Sequence, residues 1–270
     1  MSNREKKINR FLEQNGWNKR NRNPLADDAS FRRYERITDG VREAVLMDAP
    51  PEYEKVDPFI FMADYLRFLG ASAPDIMAID RENGFLLIED FGNDTYSKVL
   101  KNNPECEHYL YILAVDTLIH LQKFPIKDSI RKKIKPYDSG SIIDEACIIL
   151  DWYCSKLKGG VISKNARNLY RELWARQLRV ILDQPQRLVL RDFHVDNLML
   201  LKGRHEISAC GLLDFQDAVY GPGVYDLMSL LEDARRDVNS DLVKEMKNRY
   251  FSAISKSQYW SGQISKFEET

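Results

Sequence analysis

Apolar residues recur at two different periods along this 270-residue chain, and the dominant period changes near residue 92. Residues 3–15 set Ile8, Phe11 and Leu12 on one face of a helix that stops at Gly16. From 30 to 49 the spacing becomes strand-like: Phe31, Tyr34 and Ile37, then Asp39-Gly40, then Val41, Val45 and Met47. An Asp-Gly pair between two such runs is a strong hairpin signal. Asp57-Pro58 ahead of "FIFMADYLRFLG" reads as a capping residue, a proline in the first turn and a glycine stop. "GFLLIEDFG" at 84–92 reads as a buried strand. Residues 1–92 are therefore expected to form a small sheet with a helix packed on it.

Beyond Gly92 the spacing is helical. Asn103-Pro104 opens a helix through Tyr109, Ile112, Leu113, Leu118, Ile119 and Leu121. Residues 125–160 mix Pro125, Pro136, "DSGS" and Gly159-Gly160 around a helical "IIDEACIILDWYCSKL". A long amphipathic helix is predicted over 163–183, with Leu169, Leu173, Trp174, Leu178, Ile181 and Leu182 inward and Pro185 ending it. Trp152, Tyr153 and Trp174 read mostly as core. Three short strands follow at 187–191, 198–201 and roughly 207–214, with Gly203 in the last turn. Pro222-Gly223 then precedes a helix carrying Val224, Leu227, Leu230, Leu231 and Ala234 on one stripe. The pattern is α+β: a sheet-rich first third and a mostly helical remainder.

Composition narrows the partners. Lys+Arg number 40 against 41 Asp+Glu, which argues against nucleic acid as a partner; a few placed cations still suffice for a small anion. Cys106, Cys147, Cys154 and Cys210 form no CxxC pair and read as reduced thiols, with no structural zinc expected. "MSNREKKINRFLEQNGW" has no apolar segment of the kind a signal peptide needs, and no apolar run reaches the roughly 18 residues that span a bilayer. A soluble, cytoplasmic monomer without a membrane partner is expected.

The candidate chemistry lies in "LVLRDFHVDNLML", residues 188–200. Asp192 is followed five residues later by Asn197, and Asp214 in "GLLDFQDA" comes 22 residues after Asp192. Phosphoryl transfer from a nucleotide needs one carboxylate at the acceptor hydroxyl. It also needs a second carboxylate with another oxygen ligand for magnesium, and cations over the phosphates. Blander readings stand beside this one. Asp192 could be a turn residue and Asp196 a solvated loop acid. His194 reads equally as a substrate contact and as a structural imidazole, and with Asp192 and Asp196 it would make a poor zinc tetrahedron. Asp217 divides between substrate contact and loop structure. Asp226, near a helix start, is more often structural, and Arg191 is expected to pair with Asp192 and hold the loop.

"LRDFHVDNLML" followed by "LLDFQDA" resembles the catalytic and metal-binding pair of the protein-kinase-like aminoglycoside phosphotransferase family. Together with "DASFRRYERI", "LMDAPPE", "IEDFG" and "GPGVYDLMSLLEDAR", it is similar to the bacterial N-acetylmuramate/N-acetylglucosamine anomeric kinases, over about residues 25–237. The resemblance implies a bilobal kinase-like α+β fold. An antiparallel-sheet lobe (1–92, hinge at 88–92) would precede a helical lobe (93–270), with ATP in the cleft. It makes Asp192 the catalytic base and Asn197 and Asp214 the Mg2+ ligands. Ser30, Phe31, Arg32 and Arg33 would cover the nucleotide phosphates, and Glu89, Asp90 and Phe91 would form the hinge, its backbone meeting adenine. Asp192, His194 and Asp217, with the helical insert 137–160, would face a small sugar acceptor.

The chain departs from the family at two places. Leu46-Met47-Asp48 stands where a kinase strand carries lysine, and the helix at 58–69 has no glutamate to pair with one; Arg32 or Arg33 is the candidate replacement. The resemblance fades after about residue 240, and the chain ends earlier than those sugar kinases imply. The sequence leaves open an aminoglycoside or choline-like acceptor, and a pseudokinase-like nucleotide-binding module.

Overall fold

The computed structural model describes residues 2–18, 20–25, 31–154, 156 and 162–255. Two compact units make up the chain: Met1–Thr117 with His194–Asp217, and Leu118–Phe193 with Ala218–Thr270. No described helix is long and apolar enough to cross a membrane.

In the first unit, helix α1 (Asn3–Gln14) is capped by the Ser2 hydroxyl, which accepts from Glu5 N–H at 3.1 Å. Its Ile8, Phe11 and Leu12 are buried, as their spacing requires. They meet Trp17, Ile37, Ala44, Leu46, Phe85 and Leu87 in one apolar cluster. Each fully buried Leu or Phe there contributes about 2 kcal/mol. The sheet surface belongs to β1 (Asn21–Pro24), β2 (Arg33–Thr38), β3 (Glu43–Asp48), β4 (Ile76–Asp80) and β5 (Phe85–Ile88), in the order β1-β2-β3-β5-β4. Every pairing in it is antiparallel.

The β2–β3 register runs from Arg33↔Asp48 to Thr38↔Glu43, so Asp39-Gly40 sits in the hairpin loop as expected. Gly40 takes φ 90°, and the Asp39 carboxylate accepts from the N–H groups of Arg42 and Val41 at 2.8 and 3.0 Å. Those bonds, the Arg42 amide foremost, hold its pKa down at about 2. Helix α2 (Asp57–Phe68) begins one residue earlier than the sequence suggests. Val56 occupies the cap and Asp57 the first turn, because Asp57 turns its carboxylate to Arg81 (2.9 Å) and not to its own helix.

Two strands of this sheet, β1 and β4, carry no clear pattern of their own. β1 reads NRNP and β4 alternates half-buried and exposed residues at an edge. After β5 come α3 (Tyr96–Asn102) and α4 (Glu107–Gln122), the latter entered through a 3-10 turn at Pro104–Cys106. The expected third strand of the 187–214 region is cut short by a 3-10 turn at Glu206–Ala209. What remains is a two-stranded ladder.

The second unit holds the short α5 (Asp128–Arg131) and β6 (Lys135–Pro136). Next come α6 (Ser139–Ile148), α7 (Lys164–Leu182) and β7 (Gln186–Val189). In the first unit, β8 (Leu198–Leu200) pairs antiparallel with β9 (Cys210–Leu212). The second unit closes with β10 (Val219–Pro222), α8 (Tyr225–Leu231) and α9 (Ser240–Ser255). β10 pairs antiparallel with β7 and parallel with β6.

Helix α6 widens into a π-helical turn over Ile149–Cys154. Its Ile143, Cys147 and Leu150 form a cluster with Leu178 of α7, and Trp174 and Leu182 pack against it half-buried. Here three expectations fail. Leu169, Leu173 and Ile181 of α7 are exposed, since the stripe is wider than the strip of α6 that meets it. Trp152 and Tyr153, read as core, are each 61% exposed on the π-helical turn. Helix α8 ends at Leu231, which leaves Ala234 exposed and outside the stripe.

Candidate active site

The β8–β9 ladder of the first unit sets Asn197 and Asp214 at one end. Leu198 pairs with Leu212, and the next rung is Leu213 N–H donating to Asn197 C=O at 2.9 Å. Asp214 follows with φ 54°, a left-handed conformation uncommon outside glycine. Phe215 behind it is fully buried, its ring 5.0 Å from that of Phe59 on α2, which anchors the loop. Gln216 Nε2 donates to Asp214 Oδ1 at 2.6 Å and approaches Asp217 Oδ2 at 3.4 Å. Exposed Asp217 thus shares the loop with Asp214.

His194 is buried, and its Nε2 lies 3.3 Å from Asn197 Nδ2. That contact ties the Asn197 amide to a buried imidazole. One carboxylate and one amide oxygen suit a hard cation. Among the described residues no three His, Cys, Asp or Glu side chains converge on a metal position. A cation held here would complete its shell with water and phosphate oxygens, the habit of magnesium.

Leu46 and Met47 are buried, while Asp48 pairs with Arg4 of α1. Arg4 also donates to Asn83 C=O at 2.9 Å and lies over the Phe85 ring at 4.7 Å. Asp48 therefore fastens α1 to the sheet. The cation that reaches the other carboxylate is Arg32: it is 8% exposed and its Nη2 lies 3.8 Å from Asp214 Oδ1. Arg33 is exposed at the start of β2. Phe31 is also exposed and stacks on Tyr53, with centroids 4.5 Å apart. Ser30 lies outside the described residues.

The 88–92 segment is braced from both sides. Glu89 N–H donates to Asp75 C=O at 2.8 Å, so that amide is already engaged, and the Glu89 carboxylate pairs with Arg204. Arg204 reaches on to the Ser72 hydroxyl at 2.9 Å and lies 5.3 Å over the Phe91 ring. Asp90 takes a two-pronged bond from Arg36, which also donates to Gly92 C=O at 2.8 Å. Those bonds, that to Asp90 first, raise the Arg36 pKa. Gly211 of β9 permits the approach of Phe91: a Cβ there would stand 2.9 Å from the ring. Glu89, Asp90 and Phe91 line a concavity of about 300 Å3 with Leu200, Leu201 and Lys202.

Asp192 belongs to the second unit, as do Leu190 and Arg191. Its side chain is exposed, and the backbone before it is held. The buried Asp226 carboxylate of α8 accepts from Leu190 N–H at 2.7 Å and Arg191 N–H at 2.9 Å. Burial pushes the Asp226 pKa up to about 7, against the pull of those two bonds. Arg191 takes φ 74°, and the Ser229 hydroxyl donates to its carbonyl at 3.3 Å. The Arg191 guanidinium donates to Glu145 Oε1 of α6 at 2.7 Å. Arg191 thus also ties this loop to α6, while Asp192 remains one of the charges that act on it. Burial opposes the charge on Arg191, yet its neighbours, Glu145 foremost, raise its pKa.

The structure thus gathers Arg32, His194, Asn197, Asp214 and Asp217 in one unit with the 88–91 segment, and places Asp192 in the other. Sequence reasoning missed Glu145, Tyr137, Gln216 and Arg204. Glu145 lies 46 residues from its arginine, and no spacing rule links them. Asp226 was visible only as an acid near a helix start.

Solved structures share this fold. The gentamicin complex of APH(2")-IIa matches all of the chain with a TM-score of 0.63 at 14% identity, covering 87% of that protein. The streptomycin–ATP ternary complex of the same enzyme matches 98% of this chain and 87% of its own, with a TM-score of 0.61 at 14% identity. Nearer in sequence is the N-acetylmuramate/N-acetylglucosamine kinase of Pseudomonas aeruginosa, 36% identical over 239 residues, 88% of this chain and 66% of that one. The enzyme of the same name from Neisseria meningitidis serogroup B is 36% identical over 231 residues, 84% of this chain and 65% of its own. The chain therefore spans just under two thirds of the length of these two relatives. The family model described as the phosphotransferase enzyme family matches residues 21–260, so the chain belongs to that family.

Proposed function

We propose that this protein transfers the γ-phosphoryl group of ATP to a sugar hydroxyl, the anomeric hydroxyl of N-acetylmuramate or N-acetylglucosamine. The observation that carries the reading is Asn197 and Asp214 at one end of the β8–β9 ladder with buried Arg32 3.8 Å from Asp214. The names of the curated relatives support the acceptor. Magnesium, when bound, would supply positive charge on the β- and γ-phosphates.

Each residue then has a part. Asn197 and Asp214 offer oxygen ligands, with His194 orienting the asparagine and Gln216 the aspartate. Arg32 does the work of the absent lysine, its fork suited to phosphate oxygens. Phe31 and Arg33, with Ser30, border the phosphates, and Glu89, Asp90 and Phe91 border the base. Asp192 accepts the acceptor's hydroxyl proton while the sugar oxygen bonds to the γ-phosphorus and the bond from that phosphorus to the β–γ bridging oxygen breaks, releasing ADP. Asp217 and the 137–160 insert contribute to the acceptor side. The lobes of this reading are 1–92 and 93–270.

The test is incubation with ATP, magnesium and a panel of N-acetylated amino sugars, aminoglycosides and choline, followed by phosphorus NMR of the product. An anomeric sugar phosphate that disappears with Asp192→Asn is the expected result. Phosphorylation of an aminoglycoside or choline alone would redirect the acceptor assignment, and no Asp192-dependent product would end it.

A further inference from the structure

We propose that Tyr53 is a positioning residue for Arg32: stacked on Phe31, it holds the stretch that carries the guanidinium toward Asp214. The proposal rests on the reading of Arg32 as the replacement for the kinase lysine.

Arg32 lies just past the end of a ladder. The β2–β3 register stops at Arg33↔Asp48, so Arg32 stands one residue beyond the last rung. Burial alternates there, with Phe31 exposed, Arg32 buried and Arg33 exposed, and successive side chains of an extended segment face opposite ways. A fastening on Phe31 therefore fixes the direction of Arg32 from the outer side. Phe31 and Tyr53 are 61% and 65% exposed, yet their rings stack with centroids 4.5 Å apart and planes at 18°. Neither ring belongs to the core, so the stack bears more on local position than on the stability of the fold. Stacking of this kind shifts an equilibrium by about two- to ten-fold.

Tyr53 is the fixed member of the pair. Its N–H and that of Glu54 both donate to Pro50 C=O at 2.9 Å, and Ala49 N–H donates to Gly84 C=O at 2.9 Å. Gly84 takes φ 73°, and a Cβ there would stand 1.9 Å from the Ala49 oxygen, so this glycine lets the loop seat on the β4–β5 turn. Phe59, in the first turn of α2, meets Phe215 directly behind Asp214, with centroids 5.0 Å apart. The stretch 49–59 thus carries one ring for each partner of a single charge pair. Tyr53 acts through Phe31 on Arg32, and Phe59 acts through Phe215 on Asp214. Arg32 Nη2 and Asp214 Oδ1 lie 3.8 Å apart, and this one stretch sets their separation.

The test compares wild type with Tyr53→Ala, Tyr53→Phe, Phe31→Ala, Arg32→Ala and the double variant Tyr53→Ala/Arg32→Ala. Magnesium–ATP binding is measured by calorimetry without acceptor, beside amide exchange at 31–33 in the free protein and the melting temperature. Tyr53→Ala should weaken ATP binding by about three- to ten-fold and quicken exchange at 31–33, with a melting temperature within about 2 °C of wild type. Tyr53→Phe keeps the ring and should match wild type. With Arg32 gone there is nothing left to position, so the double variant should bind ATP as Arg32→Ala does. Unchanged affinity or unchanged exchange in Tyr53→Ala, beside a weakened Arg32→Ala, would overturn the proposal and leave the reading of Arg32 standing. A further loss of affinity in the double variant would overturn it too. If Tyr53→Ala does not fold, Phe31→Ala carries the test by removing the same stack from the other ring. Arg32→Ala that binds ATP as tightly as wild type would end the reading of Arg32, and the proposal with it.

Discussion

The two units hold their key carboxylates by opposite means. Asp214 is held through its side chain: Gln216 donates to one oxygen, Arg32 approaches the same oxygen, and Phe215 packs behind it. Asp192 is held through the backbone before it, where Asp226 takes two amides and Ser229 donates to a carbonyl, while the Asp192 side chain is exposed. The difference fits the two proposed tasks. A metal ligand works by presenting its oxygens in one direction, which side-chain contacts secure. A base must meet an incoming hydroxyl, for which a main-chain anchor is well suited.

That contrast breaks first at Asp192. Asp192→Asn should lower kcat by about 10³-fold with an unchanged melting temperature, because the side chain is exposed and its scaffold is untouched. A melting temperature lowered by several degrees would show that the side chain also bears on the fold. Asp214→Asn should lower kcat by about 10²-fold and shift the magnesium dependence to higher concentration, measured by titrating the metal at saturating ATP.

Removing the backbone anchor is a matter of stability. Asp226→Ala leaves one buried and one part-buried amide without that acceptor and should cost about 2–4 kcal/mol in denaturant unfolding. The same residue gives a pH signature. An unfolded aspartate loses its proton near 4, whereas the folded Asp226 keeps its own to about 7. Between those values the unfolded state binds fewer protons, so wild-type stability should fall as pH rises from about 4 to 7, relative to Asp226→Asn, by on the order of 1–4 kcal/mol. A flat difference across that window would show Asp226 to be ionised throughout. The smallest effect should come at Val41, 93% exposed in the β2–β3 loop, where Val41→Thr should change stability by less than about 0.5 kcal/mol.

The sequence disclosed elements wherever a local pattern had a single reading. Ile8, Phe11 and Leu12 marked α1, Asp39-Gly40 marked the β2–β3 turn, and "FLLI" marked β5. It was silent where strands borrow their order from neighbours. β6 is two residues long, and β10, "VYGP", is defined by its pairing with Gln186–Val189. It misplaced the inner face of α7 because amphipathicity tells which side is apolar, not how much of that side a partner covers. The site followed the same rule. Asp192, Asn197 and Asp214 were legible from their spacing. The groups that hold the neighbouring backbone and the 88–92 segment act across tens of residues: Asp226 on Leu190, Glu145 on Arg191, and Arg204 on Glu89. Of the left-handed non-glycine residues, neither Arg191 nor Asp214 carries a mark in the sequence, since neither is the glycine or asparagine that usually betrays such a turn.

Neither unit is a continuous stretch of chain. The polypeptide passes from one to the other inside α4 at Thr117–Leu118, between Phe193 and His194, and between Asp217 and Ala218. No single cut in the gene therefore yields either unit intact, and exchanging one between relatives would take three joints. The middle joint falls inside "RDFHVDN", between Asp192 and Asn197. Recombination there would part the proposed base from the proposed metal ligands, so those two activities have to be inherited together.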